Sequence, residues 1–410
     1  MSKTNDDFFE QKKPWSLIKD ELLCFYLKPY FTKILHSRCP IVYVDCFAGK
    51  GKFADGTEGS PLLALNILQE CIEHSKSNNT IDLYFIDPTY FNDLEKNVNE
   101  FCNDKAIHNS NIRRQAQAIK GHYEDVILNL LSKYRSCNVF LYIDPYGIKS
   151  LNYDIFHKLS INDFNSIELL INFNSMGFIR YACQTLKVSD KDIPVYDIKD
   201  DIDLDSDSNN ISIDTLNKIA NGDYWKNIIY DKQNGKINIY TAESLIAEQY
   251  CRNIKKDFRY VFNIPIQIKN GNLPKYRMIY ATNSVDGCLL MVDNIYKRWQ
   301  KMQDIQDNGN QRLWTEDIKN DLITPDKIYN NFISVLKDYR KSTPLDYIIA
   351  DFYARFDVIC EPMALHNICK NLEEQNKIHV FRKPSRRKNG KPTTFFTTNG
   401  GKEIEIEWIE

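Results

Sequence analysis

Residues 41–65 read IVYVDCFAGKGKFADGTEGSPLLAL: a β-branched apolar run, an acid, two spaced glycines, a polar loop and a second apolar run. The unbroken run IVYVDCF predicts a strand buried on both faces, as in a parallel sheet. SPLLALNILQECIEH predicts the following helix, with Ser60 as N-cap and Pro61 at its first position. Between them, Gly49 and Gly51 let the backbone turn sharply and approach a ligand closely. Asp45, at the strand end, suits the charged amino group of a cofactor. A lone G-x-G is weak evidence, so the rest of the chain has to decide what the turn is for.

Working outward, helix 14–37 comes first, with apolar residues at helical spacing and Pro29 as a kink or break. Strands at 81–87, 112–121, 138–147 and 166–174 then alternate with helices at 90–103, 123–136 and 153–161. Such alternation predicts a Rossmann-like, doubly wound, mostly parallel α/β sheet with right-handed crossovers. Ligands bind such sheets outside the carboxyl ends of the strands. Asp45–Gly51, Asp87, Lys120–His122, Asp144–Gly147 and Asn172–Asn174 all fall there. The stretch 188–210 is acidic and nearly free of core residues, which predicts a flexible insertion. A further strand at 275–284 could add to the sheet edge, before a helix that runs to about residue 300.

The chain has 410 residues, enough for two domains, and a net charge of −2, so any nucleic-acid surface must be local. Its eleven cysteines form no C-x-x-C pair, which argues for free thiols, no structural zinc and a cytoplasmic location. No apolar run is long enough for a bilayer. Expected domains are 1–300, a linker at 301–324, and 325–410.

The site residues define a chemistry. Asp87 ends the second strand, where the ribose hydroxyls of an adenosine cofactor want a carboxylate. The loop 52–59 is too long for the tight pyrophosphate turn of a dinucleotide fold. Together these features point from NAD toward S-adenosylmethionine. His122 follows the third strand, on the adenine side; a plain helix start fits it as well. Asp144-Pro145-Tyr146-Gly147 resembles the (Asp/Asn)-Pro-Pro-(Tyr/Phe) motif of class I methyltransferases that act on exocyclic amines. A base amine is a poor nucleophile because its lone pair is delocalised into the ring. A carboxylate that accepts its hydrogens localises the lone pair, and an aromatic ring stacks on the base. The bland alternative is a strand-ending turn, since Asp-Pro and Pro-x-Gly form turns readily.

The last 90 or so residues, in order helix, helix, hairpin, suggest a winged helix. Asn389-Gly390 is a strong hairpin signal. Lys383, Arg386, Arg387, Lys388 and Lys391 gather at its tip, where a wing meets phosphates.

The stretches KPWSLIKDELLCFYLKPY, YVDCFAGKGKFADGTEGSPLLAL, LYIDPYGI and YRMIYATNSVDGCLLM together resemble the three-Cys-motif partner proteins (TcmP) over residues 14–300 or so. The most specific element is D-x-F-A-G-x-G followed by D-G-x-x-G-S-P, at Asp45–Gly51 and Asp55–Pro61. The resemblance implies a class I methyltransferase-like fold and a cofactor loop that includes Phe47. It also implies a radical-SAM-like partner with three cysteines, and a role in nucleic-acid modification or phage defence. Two functions emerge as expectations: a methyltransferase acting on a base amine, or a non-catalytic cofactor-binding or docking subunit.

Overall fold

The structure is a computed structural model that describes residues 12, 14–75, 79, 81–104, 116–193, 211–266, 273–274, 276–306, 324–398 and 401–409. Most of the acidic insertion and of the linker lies outside them. The chain divides into two compact units, one running through Asn283 and the other beginning at Ser284.

The first unit opens with α1 (Pro14–Ile34), which continues through Pro29. A seven-stranded sheet comes next, built from β1 (Ile41–Asp45), β2 (Ile81–Asp87), β3 (Gln117–Lys120), β4 (Asn138–Ile143), β5 (Ser166–Phe173), β6 (Tyr260–Ile266) and β7 (Tyr276–Thr282). The strand order is β3-β2-β1-β4-β5-β7-β6. The first five strands are parallel, and β7 runs antiparallel to both β5 and β6. This is the expected Rossmann-like, doubly wound, mostly parallel sheet. The chain steps outward from β1 to β3, then returns to start β4 on the other side of β1. The switch point therefore lies between the carboxyl ends of β1 and β4, where such sheets open a crevice.

The intervening helices are α2 (Ser60–His74), α3 (Phe91–Asp104), α4 (Tyr123–Leu131) and α5 (Tyr153–Ser160). After β5 come α6 (Ser175–Leu186), α7 (Ile213–Ala220), α8 (Tyr224–Gln233) and α9 (Ile239–Ile254). Side chains alternate across each strand, so the sheet has two different faces. One carries Val42, Val44, Leu141 and Ile171, packed with Ile127, Phe156, Trp225 and Tyr250 of the helices. The other is aromatic: Tyr43 stacks on Phe140 at 5.8 Å, and Tyr26 and Tyr30 of α1 pack onto the same Phe140 ring. Within that layer the buried Glu168 accepts hydrogen bonds from the hydroxyls of Tyr26 and Tyr280.

Three expectations change. The strand at 275–284 is not the sheet edge, because β6 lies outside it. Ser60 does not cap α2: Gly59 is the N-cap and the Ser60 hydroxyl turns to Asp45 instead. Along the segment 14–37, Leu17 is exposed, whereas Leu22, Leu23, Tyr26, Leu27, Phe31 and Leu35 are buried.

The second unit holds α10 (Val285–Gln306), α11 (Pro325–Leu336), α12 (Leu345–Phe356) and α13 (Pro362–Glu374). Its three-stranded sheet has the order β8 (Thr343–Pro344), β10 (Glu403–Trp408), β9 (Ile378–Lys383). Phe332, Leu336, Leu345, Phe352, Leu365, Leu372, Ile406 and Trp408 form its core. Thr343 and Pro344 form β8, and α12 begins at Leu345. The hairpin also differs from expectation. Asn389-Gly390 does form a tight turn, with Arg387 N–H bonded to the Lys391 carbonyl and Gly390 at φ +79°. Its arms, however, are joined by an isolated Arg386–Pro392 bridge and by Thr393 N–H on the Ser385 carbonyl rather than by a strand ladder, and β9 pairs with β10 along Ile378–Lys383 and Glu403–Trp408. Pro384 and Pro392 carry no N–H, so a ladder cannot run through to the turn.

Candidate functional site

The site grows from the carboxyl ends of β1, β2 and β4. After Asp45 the chain crosses from one neighbour strand to the other. Cys46 N–H bonds to the Tyr142 carbonyl of β4, Ala48 N–H to the Ile86 carbonyl of β2, and Gly49 N–H to the Asp87 carboxylate at 3.0 Å. Gly49 and Gly51 take φ of +59° and +75°, the left-handed region that glycine enters without strain. Asn97 of α3 holds the loop from outside, donating to the Lys50 carbonyl at 2.7 Å. Beyond Gly51 the chain forms a small hairpin: Lys52 bridges Glu58, Phe53 N–H meets the Thr57 carbonyl, and Gly59 N–H closes onto the Gly51 carbonyl at 2.9 Å. The long loop is thus stitched at its base, and α2 starts directly beside Gly51.

Asp45 and Asp87 have no exposed surface. Asp45 accepts from the Phe47 N–H and from the Ser60 hydroxyl at 2.6 Å. Burial pushes its carboxyl up to about 7, and those two hydrogen bonds oppose the shift. Asp87 accepts from the N–H groups of Gly49, Thr89 and Tyr90. Both acids therefore shape the loop, and Asp87 ties β2 to the glycine turn. Phe47 is half-buried and packs on Tyr123 of α4 at 5.5 Å. His122 is exposed at the N-cap of α4, where its side chain makes no capping hydrogen bond.

Asp144 lies on the opposite lip of the crevice. The Lys19 ammonium of α1 contacts both of its oxygens, at 2.8 and 2.7 Å. Asn172 of β5 donates to Oδ1 at 2.6 Å, and the Tyr142 hydroxyl to Oδ2 at 3.2 Å. Lys19 also sits over the Tyr276 ring, 4.9 Å from its centroid, at the start of β7. Asn172 is 3% exposed, and its carbonyl oxygen has no hydrogen-bond partner among the described residues. Tyr146 is half-buried, as is Pro145. The Tyr146 phenol is pushed well above its ordinary value, first by burial and then by negative groups nearby, Asp87, Asp144 and Asp45 among them.

Sequence reasoning misses the contribution of α1. Beside Lys19, Asp20 has its carboxyl raised to about 6 by burial, an effect that its Lys12 partner opposes. Lys12 also donates to the Glu58 carbonyl at the base of the hairpin. The segment KPWSLIKDE shows an apolar stripe, and nothing local in it says that its polar face reaches Asp144. Arg277 is not a surface arginine: it pairs with the buried Glu243 of α9, which also accepts from Ser175. No group of three His, Cys, Asp or Glu side chains among the described residues could hold a metal ion. No described helix is long and apolar enough to cross a membrane.

Lys383, Arg386, Arg387, Lys388 and Lys391 of the second unit are all exposed. Arg387 donates to Thr394, Arg386 to the Gly390 carbonyl, and Lys383 pairs with Glu403. Arg382 anchors their base. It forms a two-pronged pair with Glu373 at 2.6 Å on each prong, donates to the Phe395 carbonyl, and stacks 4.6 Å from the Phe396 ring centroid.

No family model matches the chain, and no curated protein does. Among solved structures it is similar to the plantazolicin methyltransferase BpumL in complex with a monoazolic desmethylPZN analog and SAH. The identity is 13%, over 62% of this chain and 69% of that one, with a TM-score of 0.25. It is also similar to loganic acid methyltransferase with SAH, at 8% identity over 65% and 94% of the two chains and a TM-score of 0.24. Likenesses at such TM-scores carry no functional argument, and the residues of the crevice have to supply it.

Proposed function

We propose that the first unit binds S-adenosylmethionine at the β1/β4 switch point and methylates an exocyclic amine of a nucleic-acid base. The observation that carries this reading is the conjunction of Asp144-Pro145-Tyr146 with the unpartnered carbonyl oxygen of Asn172. A buried acceptor without a donor is costly, and a ligand N–H relieves it. The cofactor fits the residues around it. Its sulfonium and ammonium groups are cationic, and Asp45, Asp87 and Asp144 line that edge of the sheet. The glycine turn gives it backbone to lie against, and Asp87, which accepts three N–H groups, retains acceptor capacity for a ribose hydroxyl.

When bound, S-adenosylmethionine supplies an electrophilic methyl group. The chain's own work is positioning. Asp144 and the Asn172 carbonyl accept the two amine hydrogens and localise the nitrogen lone pair. Tyr146 stacks on the base, and the proton that the methylated nitrogen sheds leaves to water. In the second unit we read a winged helix whose basic tip, Lys383, Arg386, Arg387, Lys388 and Lys391, contacts phosphates. A radical-SAM-like three-Cys protein as partner, and a role in phage defence, rest on the family resemblance alone.

One observation favours the second reading, a non-catalytic docking or cofactor-binding subunit: the Lys19 ammonium already occupies Asp144. Calorimetric titration with S-adenosylmethionine, followed by nucleoside mass spectrometry of cells with and without the gene, separates the two. Heat together with a lost methylated nucleoside supports the enzyme. Heat with no nucleoside change supports the subunit. No heat removes the enzyme and the cofactor-binding subunit and leaves the docking subunit.

A further inference from the structure

We propose that Asp144, Asn172 and the face of Tyr276 form a subsite for an N–H-rich amine head group, that Lys19 of α1 fills it in the free protein, and that an acceptor amine enters by displacing Lys19. Its place in the reaction rests on the methyltransferase reading, but the binding site itself does not. The geometry is that of an ammonium cage. The Lys19 nitrogen lies within 2.8 Å of both Asp144 oxygens and 4.9 Å from the Tyr276 ring centroid. A carboxylate beneath and an aromatic face beside are the two surfaces that hold a primary ammonium. Asn172 closes the cage from β5 with its amide nitrogen on Asp144.

Two features separate this from an ion pair that merely fastens α1 to the sheet. The pair sits on the residue whose surrounding motif suits amine chemistry, at the crevice rather than on the far edge. And the cage is incomplete as filled. The Asn172 carbonyl oxygen is buried and has no donor among the described residues, although the Lys19 ammonium lies against the carboxylate that the same amide contacts. A shorter head group that enters without a four-carbon stem from α1 can satisfy both acceptors. Lys19 is thus a stand-in for the ligand rather than a full match to the site.

The test uses ethylammonium chloride as the probe, with sodium chloride at equal ionic strength as reference, and thermal unfolding of the whole chain as readout. At neutral pH an aliphatic amine is fully protonated. Lys19→Ala opens the cage. At a probe concentration about ten times its dissociation constant, the midpoint of Lys19→Ala should rise by about 2 °C, and that of the wild type, where Lys19 competes for the cage, by less. The double variant Lys19→Ala with Asn172→Leu should lose the response, which a simple hole beside Asp144 would retain. If Lys19→Ala does not fold alone, refolding with the probe replaces melting, and recovery of folded protein is expected. No shift, no recovery, an equal shift in the wild type, or a shift that survives Asn172→Leu each overturns the subsite. None of these outcomes depends on S-adenosylmethionine, whose separate titration tests the methyltransferase reading.

Discussion

Asp45 is a buried acid whose ionisation the fold resists. Its carboxyl is raised to about 7, and that of Asp20 to about 6, chiefly by burial. In an unfolded chain an aspartate titrates near 3.9. A raised folded value means that the folded state holds the proton more tightly. The stabilising contribution is then fully present below about pH 4 and is lost as pH rises through about 7. Asp45→Asn should therefore flatten the fall in unfolding free energy between those limits, by up to about 1.4 kcal/mol per pH unit near the middle. Urea unfolding of both proteins across that range measures the difference, and parallel profiles would show that Asp45 does not titrate there. Asp87 makes a different demand. Asp87→Ala removes the acceptor of three N–H groups and should cost about 3 kcal/mol or more, at roughly 1–3 kcal/mol for each group left unpaired. Cofactor affinity should fall with it, and calorimetry on the folded fraction reads that loss. An undiminished affinity would remove Asp87 and the glycine turn from the cofactor site.

Among the elements, the turn between β1 and α2 is the least forgiving. Gly51 has φ +75°, and a Cβ there would lie 3.3 Å from Leu94 Cδ1. Gly51→Ala should lower stability by about 1–2 kcal/mol from the left-handed conformation alone, seen as a lower urea midpoint with an unchanged slope. Strands β1, β2, β4 and β5 are legible in the sequence because each is an almost unbroken apolar run buried on both faces. The strand β6, YVFNIPI, is not, because Pro265 argues against a strand. The sheet tolerates it because β6 is the edge, where an absent N–H breaks no second ladder. The turn at Asn389-Gly390 is legible from two residues. The partner of β9 is not, since strand pairing across residues 384–402 depends on tertiary packing. Asp45, Asp87 and Asp144 can be read because strand ends are visible in sequence. Lys19 cannot, because only the packing of α1 onto Phe140 and its neighbours carries that side chain to Asp144.

At the scale of the whole molecule, charge separates two kinds of surface. The net charge is −2, yet five cations crowd one exposed excursion of the second unit. Neutralising Arg386, Arg387 and Lys388 together should weaken duplex binding and flatten the dependence of log affinity on log salt by about 0.9 for each phosphate no longer neutralised. Affinity for S-adenosylmethionine should stay as it was. An unchanged salt slope would leave the cluster as a protein-docking surface or a solubility device. Arg382 is the contrasting residue, since its side chain is largely buried in its pair with Glu373. Arg382→Ala should lower the stability of the second unit, which thermal unfolding followed by hydrogen exchange would localise to β9 and α13.

The stitched hairpin at residues 52–58 has a practical consequence. Its base is closed by Gly59 on Gly51, while at the tip Asp55 is exposed and a side chain at Gly56 would meet nothing within 4 Å. Because the closure stands between tip and crevice, the length of the excursion is uncoupled from the geometry of the glycine turn. A peptide spliced between Asp55 and Gly56 gives up the Thr57 N–H bond to Asp55 and the Gly56 N–H bond to Phe53 at the tip, and beyond that adds loop entropy of about 0.6 kcal/mol for each doubling of its length. The hairpin is therefore a handle: a fluorophore or affinity tag placed there rides beside the crevice without entering it.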